Sequence, residues 1–422
     1  MNKKLNLAVA GAVMALGATA AQAGIIIPAG DWTLDIGGNV NTFYTYSDTD
    51  EAAPITGGLA GAAGADNDKS TNITTGLLPN YLSVSGKTRQ NDLDVGFTIS
   101  IQPGSSTNNA LIQTNPNNQE NRQAFLTFGD KSWGSIKVGK DLGIFGSDAI
   151  LSDMTLLGVG AGAGFLSGNT TTLGGIGTGY LYADWKSQIS YWSPNWNGFS
   201  FAIGVMQPWQ TIGSGPVNQT RKEPGFEGKV NYEWAGDFAG KIWASFITQK
   251  VEDMATAAVP TTIAVVGGVP VLIPGTPAAS FGSDRATGFD VGATVNVAGF
   301  ALTGYYYDGE GIGTTGFLNL GYDATGEARD SNGGYVQAVY ALPGAGTKLG
   351  ASWGVSKLDD NAADAGLNLV DENERWTLGV YHPLTKHLNL VAEYSNVKSE
   401  SHLAGADDNE SDTISAGAIL FF

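Results

Sequence analysis

The side chains of this sequence that could do chemistry are charges rather than nucleophiles. His382, His387 and His402 are its only histidines, and it has no cysteine. There is no G-x-S-x-G elbow, H-E-x-x-H helix or cofactor motif, and the run from Gly174 to Gly179 lacks the strand and helix of a phosphate loop. Neither an enzymatic activity nor a cofactor is expected. What remains is a pair of carboxylates, Asp148 and Asp153, in a stretch (142–183) that also carries Ile144, Phe145, Ile150, Leu151, Met154, Leu156 and Leu157. Cations stand outside that stretch at Arg122, Lys140, Lys186 and Arg375. Carboxylates on an inward loop facing cations across water would set up a transverse field that orients polar solutes and filters ions. Plainer readings stand beside this one: Asp153 as a helix cap before Met-Thr-Leu-Leu, and Lys186 and Arg375 as general lumen polarity or loop-base ion pairs.

A field of this kind needs a wall to hold it, and the rest of the sequence reads as one. Leu93, Val95, Phe97, Ile99 and Ile101 alternate with Asp94, Thr98 and Ser100, and Phe289, Val291, Ala293, Val295 and Val297 alternate with Asp290, Thr294 and Asn296. The last strand places Ile414, Ala416, Ala418, Leu420 and Phe422 opposite Thr413, Ser415 and Gly417. Strands apolar on one face and polar on the other suit a barrel with lipid outside and water inside. Period-two segments of roughly ten residues, the length a tilted membrane strand needs, number about sixteen. Segments 242–249 and 300–307 are ambiguous.

The connections alternate in length. Short turns are expected near 88–92, 130–134, 194–198, 235–238, 297–300, 342–347 and 382–387, and long loops near 48–77, 103–121, 142–183, 208–223, 252–284, 309–329, 359–372 and 399–411. Seven turns and eight loops join sixteen strands with both termini on the short-turn side. Trp32, Tyr191, Trp196, Trp234, Trp376, Tyr381, Tyr394 and Phe422 fall near strand ends, as an interfacial girdle would. A soluble sandwich explains neither the girdle nor the alternating loops, and at this length it would split into domains.

Residues 1–23 form an expected secretory leader: Lys3 and Lys4, an apolar run from Leu5 to Ala20, then Ala21-Gln22-Ala23. Residues 24–422 then form a single barrel domain. The formal charge of -18 becomes -20 once the two leader lysines are removed, a balance that disfavours nucleic acid as a partner.

Residues Arg122 to Met154 carry the most specific pattern. An Arg opens one strand, a G-x-x-x-x-G-[RK] strand follows (Gly134 to Lys140), and the next loop reaches Asp153-Met154. Together with Tyr191, Ser193, Pro194, Asn197, Gly198 and Phe199 and the Phe ending, this resembles the trimeric general porins of Gram-negative bacteria. The resemblance implies an outer-membrane homotrimer amid lipid and lipopolysaccharide, with the third long loop folded into the lumen and Arg122, Lys140, Asp153 and Met154 at its constriction. Thr155-Leu156-Leu157-Gly158 stands where enteric members have Pro-Glu-Phe-Gly, so the second loop acid is missing.

The expected function is passive diffusion of small hydrophilic solutes and ions through a water-filled channel with a weak preference for cations. A substrate-specific channel, with Tyr305-Tyr306-Tyr307 as a candidate aromatic track, and a surface module whose loops bind a partner are the alternatives. Acidic clusters in the long loops (Asp48, Asp50, Glu51; Asp66, Asp68; Asp359, Asp360, Asp364; Asp407, Asp408, Glu410, Asp412) read either as solvated loops or as divalent-cation bridges to lipopolysaccharide. Thr261 to Pro274 reads as an apolar hairpin about Gly267-Gly268.

Overall fold

Alternation of apolar and polar residues becomes a closed antiparallel wall in the computed structural model. The model describes residues 24–50, 52–61, 68–106, 119–162, 171–213, 215–258, 261–266, 269–275 and 277–422, so the expected leader lies outside the described residues. The barrel strands are β1 (Trp32–Thr49), β2 (Tyr81–Gln90), β3 (Leu93–Pro103), β4 (Ala124–Asp130), β5 (Gly134–Leu142), β6 (Trp185–Trp192), β7 (Phe199–Met206) and β8 (Gly225–Trp234). They continue with β9 (Ala239–Thr256), β10 (Ala279–Val297), β11 (Phe300–Glu310), β12 (Asp330–Ala341), β13 (Lys348–Leu358), β14 (Val370–Pro383), β15 (Leu388–Ser401) and β16 (Asn409–Phe421). Both segments whose period was ambiguous are strands, within β9 and β11. Lys69–Thr74, Gln119–Glu120 and Val217–Thr220 are short upper pieces of β2, β4 and β8.

Each strand pairs with the next, and β16 returns to β1 with Phe421 opposite Asn39 and Ala416 opposite Tyr44. Beyond Phe422 the row is continued by Ile25–Ala29, paired to the start of β1. Closure leaves no unpaired sheet edge for hydrocarbon to meet. The outward face is apolar along its middle, with Val40, Ile99, Ile189, Val230, Ile242, Phe289, Val291, Leu378 and Ile414 all exposed. Trp196, Trp376 and Phe199 lie near its rims. Tyr381, expected in that girdle, instead has inward parity: it is buried and donates to Glu393 at 2.7 Å.

Sixteen strands spaced ~4.8 Å apart and tilted by ~40° make a barrel about 30 Å across. So wide a lumen must be narrowed from within. One side of it is filled by an apolar cluster, unlike the polar interior that alternation alone implies: Trp243, Ile247, Val251, Tyr305, Tyr307 and Tyr335 from the wall meet Phe145, Ile150, Tyr180, Phe317 and Leu318 from loops. The hairpin of Thr262–Val266 and Val269–Ile273 forms its own two-stranded sheet, apart from the barrel; Gly267 and Gly268 lie outside the described residues.

The seam depends on a close approach at Gly38. Its N–H donates to Phe422 O at 2.8 Å and its carbonyl accepts from Phe422 N at 3.0 Å, while a Cβ at this position would stand 2.0 Å from the Tyr81 carbonyl oxygen. Gly38→Ala must displace the Tyr81 backbone of β2 and crowd the Phe422 ring, at a cost of about 1–3 kcal/mol. The temperature at which the folded band converts to the unfolded one in SDS gels should fall for Gly38→Ala and stay unchanged for Gly304→Ala, a β11 glycine with extended backbone whose Cβ would meet nothing.

Candidate functional site

The connection from β5 to β6 (143–184) turns at Gly146, which has a φ of 71°, into helix α1 (Ser147–Ser152), then into a 3-10 turn (Met154–Leu157). Asp153 separates the two. Its Oδ1 accepts from Thr155 N at 2.8 Å and Thr155 Oγ1 at 2.7 Å; its Oδ2 accepts from Gly175 N at 2.9 Å and the Tyr180 hydroxyl at 2.8 Å. The carboxylate therefore caps the turn and ties both ends of the loop together. Burial, followed by the adjacent Asp153 charge, holds the Tyr180 phenol well above its ordinary range, so it stays a donor.

Asp148 turns to the wall. Lys229 of β8 reaches its Oδ2 at 3.0 Å and Lys241 of β9 its Oδ1. Burial alone would raise this carboxyl, but the two lysines outweigh it and hold Asp148 below its ordinary value of 3.8.

The loop backbone is gripped by wall side chains that the sequence reading had not singled out as site residues. Glu227 accepts from Ile144 N at 2.9 Å, Asp290 from Gly146 N at 3.2 Å, Gln337 from Met154 N at 2.9 Å, and Glu393 from Val159 N at 2.7 Å and Gly160 N at 2.9 Å. Tyr335 of β12 donates to Ala149 O at 2.9 Å. Inward parity was a readable signal for Glu227 and Asp290. Their backbone partners, far away in sequence, were not readable.

The four expected wall cations scatter. Lys186 is buried against Glu227 with its ammonium 5.4 Å from the centre of the Trp209 ring. Arg375, also buried, donates to Thr178 Oγ1 at 3.2 Å and Thr377 Oγ1 at 2.6 Å. Arg375 and Asp153 approach each other beside Gly175, where a Cβ would lie 2.9 Å from Asp153 Oδ2 and 3.0 Å from an Arg375 amino nitrogen. Arg122 sits between the pieces of β4, paired to Glu120 at 2.6 Å and 5.8 Å over Trp185. Lys140 lies on the face opposite to the one expected. It stands opposite Ala124 and Ser187, in the row of the exposed Leu126 and Ile189, and its Nζ donates to Asn121 O at 2.9 Å. Strand parity overrides the motif here and puts Lys137 in the lumen, paired with Asp141 and 4.6 Å over Trp192.

Among the described residues, 147–160 makes no hydrogen bond to the strand residues of β2, β3, β4 or β5; its one bond on that side is Leu77 N, between the two pieces of β2, to Gly158 O at 2.9 Å. That wall remains hydroxyl-rich and partly exposed, with Ser85 and Thr98 2.9 Å apart and Thr127 and Lys137 beside them. Leu151, Ser152 and Leu156 of the loop remain partly exposed, Leu151 and Ser152 on the side of β8 to β13. Of the tyrosine run, Tyr306 is 51% exposed on the outside while Tyr305 and Tyr307 are 6% and 0% exposed beneath the loops.

A second connection, 311–329, packs at the outer mouth. Tyr182 N donates to Thr315 O at 2.9 Å and Leu320 N to Ile212 O at 2.8 Å. Arg329 clamps Asp364 through two bonds of 2.7 Å and gives its remaining amino group to Leu320 O and Tyr322 O. Of the acidic clusters, Glu51 and Asp66 lie outside the described residues, and among the described residues no group of three His, Asp or Glu side chains is placed to hold a metal.

Two outcomes follow from these bonds. Asp148→Asn leaves Lys229 buried without a counter-charge and Lys241 with only Glu233 at 3.9 Å, at a cost of about 3–5 kcal/mol; limited proteolysis should then cut within 143–184, and single-channel conductance should rise. Arg329, through its hydrogen bonds, holds the Asp364 carboxyl below its ordinary 3.8. A depressed carboxylate contributes stability above its unfolded value and loses it as pH falls through the folded one. Protease resistance of 311–329 should therefore persist from neutral pH down to that ordinary value and fail below it, and Asp364→Asn should abolish it at neutral pH.

A sequence profile described as Gram-negative porin matches residues 8–402. No curated protein matches by sequence. Among solved structures, the outer membrane channel DcaP of Acinetobacter baumannii is similar at a TM-score of 0.65 and 16% identity, covering 95% of this chain and 100% of that one. An anion-selective porin from Comamonas acidovorans gives 0.58 and 16%, covering 93% and 100%. OmpT of Vibrio cholerae in its trimer form gives 0.53 and 14%, covering 93% and 99%. With the closed sixteen-stranded wall, the profile match settles the family: the chain belongs to the Gram-negative porins, channels of the outer membrane and not enzymes.

Proposed function

We propose that this porin passes small hydrophilic solutes and ions passively through an off-centre aqueous path, between the free face of 143–184 and the hydroxyl-rich wall of β2 to β5. The observation that carries this reading is the one-sided fastening of the loop, which leaves that wall unoccupied by hydrogen bonds from α1. The sealed positions of Tyr305 and Tyr307 favour diffusion over a dedicated aromatic track.

The cation preference is weak and arises at the mouth. Asp148 and Asp153 are spent on lysines, hydroxyls and backbone amides, so neither adds a free charge to the aperture. The long loops carry the acidic excess, and summed charge of this kind concentrates counter-ions at an entrance. The trimer is the natural assembly for the fold: the porin of the same fold from Vibrio cholerae has a trimer form, and the outward Ala416 and Ala418 of β16 leave room for close contact. Outer-membrane lipid and lipopolysaccharide surround it.

A planar bilayer under a potassium chloride gradient tests the preference. The reversal potential should have the sign of a cation-preferring channel near 0.1 M salt and shrink toward zero near 1 M, where the screening length falls from about 10 to about 3 Å. Asp153→Asn should leave the sign unchanged. A clear anion preference, or a preference insensitive to salt, would sink the reading.

A further inference from the structure

Between α1 and the short turns at the lower ends of β8 to β13 lies a cavity of about 380 Å³. Leu151, Ser152, Thr303, Gln337, Val339 and Lys348 are among its lining residues. Some of its polar groups satisfy one another or the loop. Gln337 accepts from Met154 N and donates to Ser152 O at 2.6 Å, and the hydroxyls of Thr294 and Thr303 stand 2.9 Å apart.

Lys348 is the cation on this lining. It opens β13 opposite Ala341 and the inward Tyr381, is half-buried, and has no hydrogen bond or ion pair among the described residues. The nearby wall acid, Glu393, is committed to Val159 N, Gly160 N and the Tyr381 hydroxyl. Asp237, also on the lining, sits in the turn between β8 and β9, four to five strand spacings or roughly 19–24 Å along the wall from β13. An ammonium partly stripped of water and left without a counter-charge attracts an anion more strongly than a solvated surface lysine does. The surrounding floor of Leu151, Ala301, Val339 and Ala341 is apolar, and the volume lies in the range of small-molecule sites.

We propose that this cavity binds small monocarboxylates with a compact apolar body, the carboxylate on Lys348 and the body on the apolar floor, entered from the short-turn side of the barrel. The single cation selects a single carboxylate. This inference rests on the channel reading for its access route but not for the site itself.

Benzoate and its neutral isostere benzamide are suitable probes. Benzoate added on the short-turn side of a bilayer-inserted channel should reduce the open current saturably, with benzamide at least tenfold weaker. Lys348→Met should weaken the benzoate effect at least tenfold relative to that variant's own open current, and Lys348→Arg should retain it. Saturation-transfer NMR on the folded protein in detergent reads binding without conduction. Equal effects of benzoate and benzamide, or undiminished benzoate binding by Lys348→Met, would overturn the site. Lys348-dependent binding in detergent together with a wild-type protein that passes no current would overturn the channel reading and leave the site standing.

Discussion

Closure of the backbone hydrogen-bond network is the constraint on which everything else in this molecule depends. A wall in hydrocarbon has no water to satisfy a stray N–H or C=O, so the last strand must find the first. Phe421 opposite Asn39 and the reciprocal bonds between Phe422 and Gly38 do this, and Ile25–Ala29 extends the same row. Sixteen strands then fix the diameter, and the diameter fixes the next problem: a lumen about 30 Å wide discriminates nothing until something fills it.

The filling uses charge as fastening. Glu227, Asp290 and Glu393 spend their carboxylates on backbone amides of the loop, and Asp148 spends its own on two lysines. Every one of these groups would be a selectivity element if it faced water. Buried and paired, each becomes a positional constraint instead, because removing one partner strands the other in a poorly solvated place. The loop can therefore lack the second acid of enteric porins without losing its position, because its own Asp148 and the wall's Glu227, Asp290 and Glu393 already fasten it.

Much of the wall was legible in the sequence because its physics is local. Period-two alternation needs only neighbouring residues, and it placed Ile414 and Leu420 outward, Thr413 and Ser415 inward, and Tyr305 and Tyr307 on the face opposite Tyr306. Site residues were less legible because their roles depend on partners far along the chain. Lys140 matched a motif, yet counting parity from Gly134 sends it outward; Tyr381 looked like a girdle residue until the same count turned it to Glu393. Asp153 as a cap could be read from Met-Thr-Leu-Leu alone, whereas its bonds to Gly175 and Tyr180 could not. Nor could the apolar side of the lumen, since Trp243 and Ile247 on the inward face break the polar alternation for the sake of loops that arrive later in the chain.

That apolar side explains why the fastening is stiff. An ion pair in water is worth little, and in a wide aqueous pore the lysines of β8 and β9 would be screened and mobile. Filling half the lumen with Phe145, Ile150, Trp243, Tyr305 and Tyr335 excludes water from one side of Asp148 and Asp290 and raises the strength of each contact there. The filled half thus serves the open half. It gains rigidity at the cost of cross-section, and it holds α1 against one wall; on the proposed path the opposite wall, with its hydroxyls and Lys137, is the one left to the solute. Charges already committed to that fastening are not free to act on a solute, which is why the proposed preference is weak.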